Sequence, residues 1–299
     1  MRTLGLDLGG TKIAAGVLED GRLLNFRERP TPREGGEAVA RALAELAREV
    51  TAGLEVAAAG VGTPGPLDFE RGVVRFAPNV PGMVDFPLRA RLEELLGLPV
   101  AVENDANAAA LAEHHLGAAK GAASSLYVTV STGIGGGVVL GGRVLHGAFG
   151  QGGEVGHIVV DPAGPPCGCG DRGCLEAVAS GRALERDAAY VFGRPVPVPE
   201  LFSLPDPRAR ALTTASARWL GIALASLQRV LDPEVVVIGG GVALGGGRRY
   251  LSAARRAYRE RMGSWRAAPL RLARLGRRAG VVGAALAALE VADVAEGAD

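Results

Sequence analysis

Every cysteine of this 299-residue chain, Cys167, Cys169 and Cys174, falls shortly after His157, one of only four histidines. Three thiols and an imidazole make a complete tetrahedral zinc set; with all four positions filled by protein, the metal they would hold is structural and leaves no open position for catalysis. Such an ion contributes about 10 kcal/mol to local folding. Gly, Asp and Arg crowd around the cysteines, which is surface-like company and argues against three buried apolar thiols. Glu154 and Glu176 flank the set, and a loop pinned by metal would point both carboxylates at a common ligand.

Two glycine-rich turns offer a second chemistry, the cradling of phosphate. In Asp7-Leu8-Gly9-Gly10-Thr11-Lys12 the paired glycines let backbone amides approach an anion, Thr11 offers a hydroxyl and Lys12 a charge, while Asp7 at a strand end suits Mg²⁺, a hard ion that takes oxygen ligands. An ordinary hairpin turn with an exposed lysine would read the same way in isolation. The turn Ser131-Thr132-Gly133-Ile134-Gly135 repeats the chemistry without a cation, and Gly239-Gly240-Gly241 ends a third strand either as a plain strand-to-helix turn or where backbone could approach a flat ligand such as adenine. Gly-Lys occurs nowhere, so the chain has no P-loop, and neither glycine cluster fits the dinucleotide spacing G-x-G-x-x-G.

An acid–base candidate stands at Glu103-Asn104-Asp105, between an apolar strand and an alanine-rich helix. Phosphoryl transfer to an alcohol wants a carboxylate within reach of the attacking hydroxyl. On local grounds the stronger reading of Asp105 is as the N-cap of that helix. Gly62-Thr63-Pro64-Gly65-Pro66 and Asn79 form either a polar pocket wall or a rigid turn and loop. His114, His115 and His146 read as surface or packing residues.

The elements that must position these groups alternate between strand and helix periods. Apolar runs at residues 4–8, 13–18 and 23–26, joined by Gly9-Gly10 and Asp20-Gly21, predict an antiparallel meander. Val39, Leu43, Leu46 and Val50 give a helix over 37–50; strands at 54–61 and 99–102 and helices at 88–96 and 106–116 complete one α/β lobe. The plan restarts with strands at 125–130, 134–140 and 143–145, a long helix over 208–231, a strand at 235–238 and a last helix over 281–291. Two lobes are expected, residues 1–116 with about 281–299 and residues 117–280, the second built like the first.

Thirty-three basic against 32 acidic residues exclude a role driven by bulk charge on nucleic acid or membrane. No apolar run reaches the roughly 20 residues of a membrane span, no signal peptide pattern opens the chain, and thiolates suited to zinc fit a reducing compartment; the expectation is a soluble, cytoplasmic protein.

Taken together, Asp-x-Gly-Gly-Thr-Lys, Gly-Thr-Pro-Gly-Pro, Glu-Asn-Asp, Ser-Thr-Gly-x-Gly-Gly-Gly, Glu-Val-Gly-His and Cys-x-Cys-Gly-x-x-Gly-Cys-x-Glu resemble the ROK family of repressors, open reading frames and sugar kinases, in the family's order from Leu4 to about Leu289. The resemblance implies a two-lobed α/β chain of actin-like, hexokinase-type (ribonuclease H-like) fold, the last helix returning to the first lobe and sugar meeting MgATP in a cleft. It assigns Asp105 as the base that takes the proton from the sugar hydroxyl. It also matches Gly65, Asn79, Asn104, Glu154, His157 and Glu176 to sugar-binding positions, so that His157 would serve zinc and sugar through its two ring nitrogens.

The run Asn79-Val-Pro-Gly-Met-Val-Asp-Phe-Pro is similar to a loop of family glucokinases, with Met83 where many carry tryptophan. Glucose is therefore the expected hexose, with mannose, fructose, glucosamine, N-acetylglucosamine and N-acetylmannosamine as alternatives, ATP with Mg²⁺ the donor and a homodimer or homotetramer the expected assembly. A sugar-responsive repressor would need a helix-turn-helix module ahead of the first phosphate turn, and Asp7 lies seven residues from the start. A sensor without catalysis fits poorly with an intact Asp105 beside both phosphate turns.

Overall fold

The computed structural model describes residues 1–77 and 79–296. Within them the chain forms two α/β units, one comprising Met1–Lys120, Gly142–Gly152 and the segment from Leu275 onward, the other Gly121–Gly141 and Gly153–Arg274.

In the first unit, β1 (Arg2–Leu8) and β2 (Lys12–Glu19) form a hairpin across Gly9-Gly10, and β3 (Arg22–Pro30) follows through Asp20-Gly21. Both turn residues hold positive φ, 48° and 77°, the backbone a two-residue hairpin needs to match strand twist. Strand β4 (Ala58–Thr63) pairs in parallel with β1, and β8 (Val100–Asn104) in parallel with β4, giving the order β3-β2-β1-β4-β8. One face of the sheet is covered by α1 (Gly36–Val50), whose Val39, Leu43, Leu46 and Val50 are buried with Leu4, Leu6 and Leu8. Three short strands, β5 (Leu67–Asp68), β6 (Val73–Phe76) and β7 (Val84–Phe86), make a separate antiparallel sheet ahead of α2 (Leu88–Leu96).

Helix α3 (Asp105–His115) packs with α10 (Ala279–Glu296), and α10 lies on β1, β4 and β8. The approach is backbone to backbone. A Cβ at Gly5 or Gly60 would collide with the Val281 or Ala284 carbonyl oxygen, so only glycine fits at these two strand positions.

In the second unit, β9 (Ser124–Val130) and β10 (Ile134–Leu140) form a hairpin, β12 (Val235–Gly239) pairs in parallel with β9, and β13 (Leu270–Leu272) with β12. The order β10-β9-β12 repeats β2-β1-β4 of the first unit, the internal repeat read from the sequence. Helices α4 (Leu175–Ala179), α5 (Gly181–Phe192), α6 (Val198–Ser203), α7 (Pro207–Leu231), α8 (Gly241–Gly245) and α9 (Gly247–Met262) belong to this unit. Asp206 caps α7 through the Arg208 N–H with Pro207 at the first helical position, and the helix stops at Asp232 in the left-handed region. Among the described residues no helix is long and apolar enough to cross a membrane.

Several expectations shift. The strand predicted over 54–61 runs 58–63: the Leu54 N–H closes the turn after α1 on the Thr51 carbonyl, and Leu54 and Val56 pack on the core from a loop. Residues 142–152, assigned by pattern to the second lobe, group with the first, where β11 (Arg143–Val144) contacts α3 and His146 bonds Glu103. The terminal segment of the first unit starts at Leu275, earlier than residue 281; its residues 297–299 lie outside the described residues.

Candidate active site and metal centre

The first unit brings Asp7 and Asp105 to the same edge of its sheet. Asp7 pairs with Gly62 of the neighbouring strand, and Gly62 with Glu103, so the C-terminal ends of β1, β4 and β8 lie side by side. This is the edge at which open α/β sheets bind ligands. A Cβ at Gly62 would stand 3.6 Å from Asp7 Oδ1 and 3.9 Å from Asp105 Cα, so glycine keeps the gap between the two acids open.

Burial pushes the Asp7 carboxyl up to about 7, and the negative charges of Asp105 and Glu28 push in the same direction. A cation beside it would oppose that shift. Gly280, in the first turn of α10, also makes room, since a Cβ there would fall 2.6 Å from Asp7 Cγ.

Asp105 is not the N-cap of α3. Asn104 is: its Oδ1 accepts the Ala106 and Asn107 N–H groups at 2.9 and 3.2 Å, with extended backbone at the cap. Asp105 is the first helical residue and is exposed, with Oδ1 2.7 Å from the Ala106 nitrogen. The capping role that competed for Asp105 is therefore taken by its neighbour.

The first phosphate turn is rigid. Gly9 N–H donates to the Lys12 carbonyl at 2.9 Å, and the buried Thr31 hydroxyl donates to the Gly9 carbonyl at 2.7 Å, leaving Thr11 and Lys12 exposed. Asn79 adjoins this turn, because a Cβ on Gly10 would come within 2.6 Å of the Asn79 Cβ. Gly65 holds φ 95° with no room for a side chain against the Phe76 carbonyl. Met83 is fully buried in the core with Ala77 and Val80, so at this position the chain packs its own interior.

The second unit gathers three backbone turns. The Ser131 N–H donates to the Gly133 carbonyl at 2.9 Å, closing the Ser131-Thr132-Gly133 turn ahead of Gly135, and the Gly181 and Arg182 N–H groups donate to the Ser131 and Thr132 carbonyls at 2.8 and 3.1 Å. Gly240, at φ 90°, lies against Val130, and Gly239 and Gly241 bracket it where β12 passes into α8. The residues at 180–182 were missed in the sequence reading. Ser180 caps α5 by accepting the Ala183 N–H at 3.2 Å, and a serine two residues before a periodic apolar run is a legible signal for it. Concavities of about 300 and 470 Å³ open elsewhere, beside α7 and α9, and none of the candidate site residues lines them.

The four metal donors meet. His157, Cys167, Cys169 and Cys174 place their ligand atoms within 4.8 Å of one another. His157 Nδ1 lies 3.6 Å from Cys167 Sγ, and Cys169 Sγ 3.7 Å from Cys174 Sγ. Tetrahedral zinc with ordinary bond lengths sets sulfur–nitrogen edges of about 3.6 Å and sulfur–sulfur edges of about 3.8 Å, so the donor set fits that ion. A tight loop carries it: Cys167 N–H donates to the Asp171 carbonyl at 2.7 Å, Gly170 N–H to the Cys167 carbonyl at 3.1 Å, and Val159 bridges Cys174. Burial pushes the Cys174 thiol up to about 12, a cost that a bound cation offsets.

His157 presents Nδ1 to the sulfurs, leaving Nε2 for another partner. Glu154 precedes the same turn and is exposed, while Glu176, in α4, anchors one carboxylate oxygen on the Ile134 N–H at 2.8 Å.

Comparison with known proteins places this geometry. The ROK family model matches residues 3–291. A crystal structure of a ROK hexokinase from Thermus thermophilus is 62% identical, with a TM-score of 0.94, covering 98% of this chain and 100% of that one. A ROK family glucokinase from Streptomyces griseus, solved with glucose and AMPPNP, is 38% identical with a TM-score of 0.81, covering 97% and 100%. The glucokinase of Streptomyces coelicolor is 39% identical over 310 residues, 95% of this chain and 96% of that protein. With the actin-like, hexokinase-type α/β fold of these relatives and the family's motifs in order, the chain belongs to the ROK family.

Proposed function

We propose that this protein is an ATP-dependent hexokinase of glucokinase type, transferring the γ-phosphoryl group of ATP to the 6-hydroxyl of glucose. The observation that carries the reading is the Asp105 corner: an exposed carboxylate at the start of α3, with Asn104 taking the cap, on the same sheet edge as Asp7, in a chain 62% identical to a ROK hexokinase.

Asp105 takes the proton from the sugar hydroxyl as its oxygen attacks phosphorus, a role worth about 10² to 10⁴ in rate. The first unit also supplies Asn104, Gly65 and Asn79 to the hexose, and its Gly9, Gly10, Thr11 and Lys12 to the phosphates. The second unit supplies Glu154, Glu176 and the Nε2 of His157 to sugar hydroxyls, and the backbone of Thr132, Gly133, Gly135 and Gly239-Gly240-Gly241 to the nucleotide. Asp7 would hold, directly or through water, the magnesium that accompanies ATP, and that ion when bound would supply charge neutralisation at the phosphates. His157, Cys167, Cys169 and Cys174 would hold zinc, which when bound would pin the loop that leads into Glu176. The reduced thiolate set suits a cytoplasmic setting, and a homodimer or homotetramer is the assembly that accompanies this reading.

Coupled measurement of ADP release with MgATP against a panel of hexoses and amino sugars tests the proposal. Glucose should lead in kcat/KM. Another sugar in the lead would keep the mechanism and change the substrate; silence across the panel would remove the kinase reading.

A further inference from the structure

Glu103 is the first residue of the Glu-Asn-Asp triplet, and the mechanism above gives it no task. It is nonetheless a buried carboxylate, 4% exposed, that joins the start of α3 to the loop Gly142–Gly152. Its Oε1 accepts the backbone N–H of Asn104 at 2.8 Å and the Asn107 Nδ2 group at 3.0 Å. Its Oε2 lies 2.7 Å from His146 Nε2. The orientation of Asn107 is imposed by Glu103, because turning its amide nitrogen toward that carboxylate leaves the buried Oδ1 without a partner among the described residues. Leaving such an atom unpaired costs about 1 to 3 kcal/mol, so the pull of the carboxylate is the stronger effect.

His146 reaches Glu103 from the loop Gly142–Gly152. Its ring packs on Phe69 with centroids 4.3 Å apart, and its carbonyl accepts the Gly152 N–H at 2.7 Å. Among the described residues the charged groups acting on it are Glu103 of β8 and Glu290 of α10, both acidic. At the other end of the loop, His115 of α3 lies 3.0 Å from the Gly142 carbonyl.

We propose that His146 is a positioning residue for Asp105: its imidazolium holds the Glu103 carboxylate that fixes the Asn104 amide and the Asn107 side chain, and loss of that proton loosens the corner and slows phosphoryl transfer. The inference rests on the reading of Asp105 as the base. The hydrogen bond to Glu103 raises the proton affinity of His146, and partial burial opposes it. The pairing is complete while the ring is protonated and is lost as pH rises through the raised value, so the alkaline limb of kcat falls above the ordinary imidazole range.

Two measurements test this. The first is the kcat profile from about pH 6 to 9 with saturating glucose and MgATP, for the parent and for His146→Gln, which keeps an uncharged donor to Glu103. The variant should lose the alkaline limb and run about three- to tenfold below the parent plateau, as slight misplacement of a catalytic group does, with KM for MgATP unchanged. Superimposable alkaline limbs would overturn the proposal. The second is an NMR titration of the unmodified protein. The His146 ring should titrate above ordinary histidine, with the Asn104 and Asp105 amides shifting in step. An ordinary titration, or amides that do not follow it, would overturn the proposal whether or not the protein phosphorylates any hexose. Activity absent from the whole sugar panel with this titration intact would instead fault the kinase reading alone.

Discussion

Glu176 Oε2 accepts the Ile134 N–H at 2.8 Å, tying the carboxylate that follows the last zinc ligand to the strand that leaves the Ser131-Thr132-Gly133 turn. A Cβ on Gly133 would lie against that same oxygen. One oxygen thus sets the side chain, and the other is the one proposed to meet a sugar hydroxyl. Glu176→Gln retains an acceptor for Ile134 and should leave thermal unfolding close to the parent while raising KM for glucose about tenfold. Glu176→Ala orphans the Ile134 N–H and should also cost about 1 to 3 kcal/mol of stability. Equal unfolding temperatures for the two variants would contradict the anchoring role.

Replacement of Asp105 by alanine should lower kcat by about 10² to 10⁴ with folding and glucose affinity largely kept. Calorimetric glucose binding beside single-turnover kinetics separates these effects. Near-normal turnover would remove the base assignment.

Asp7 gives a pH dependence of definite sign. Its folded carboxyl titrates at about 7 against an ordinary 3.8, so folding takes up a proton over that interval. The associated stability is present below the ordinary value and lost as pH rises through about 7. Asp7→Asn should therefore be more stable than the parent at about pH 8, on the order of 2 kcal/mol after discounting for partial solvent access, and similar near pH 4. The same variant should lose magnesium-dependent activity, and in the parent the apparent affinity for MgATP should rise with pH through about 7. Identical unfolding curves for the two proteins at both pH values would show that the carboxyl is not under this strain.

Metal analysis of the purified protein should return one zinc per chain. Cys169→Ser should release it and weaken glucose binding, since His157 and Glu176 both depend on the loop; a fully occupied variant would exclude Cys169 as a ligand.

Gly60→Ala adds one methyl group where β4 meets the Ala284 carbonyl. The strand or α10 must shift, at a cost of about 3 kcal/mol, read as a lowered denaturant midpoint. An unchanged midpoint would mean that the helix yields freely.

Residues whose chemistry is local were legible before the structure. The zinc spacing, the glycine-rich turns and the alternation of elements all follow from side-chain type and short-range period. Where tertiary contacts decide, the sequence was silent or ambiguous. Asn104 and Asp105 are both good caps, and only the backbone path shows that Asn104 takes the N–H groups. Glu103 and His146 are 43 residues apart, and nothing local marks them as partners. Strands β5, β6 and β7, two to four residues long, are too short for alternation to register.

The seating of α10 on β1 and β4 has a consequence for the order of assembly. The sheet made from the first third of the chain is closed by a helix that comes last, with the whole second unit synthesised in between. On the ribosome, the second unit can fold as it emerges, while the face of β1 and β4 bearing Gly5 and Gly60 must wait uncovered for Val281 and Ala284. During that interval Asp7 also lacks its neighbour Gly280, so the surroundings of this acid are complete only when synthesis has reached α10. A nascent chain stopped short of α10 is thus expected to carry a folded second unit beside an open first one, a species that a chaperone would hold and a protease would cut.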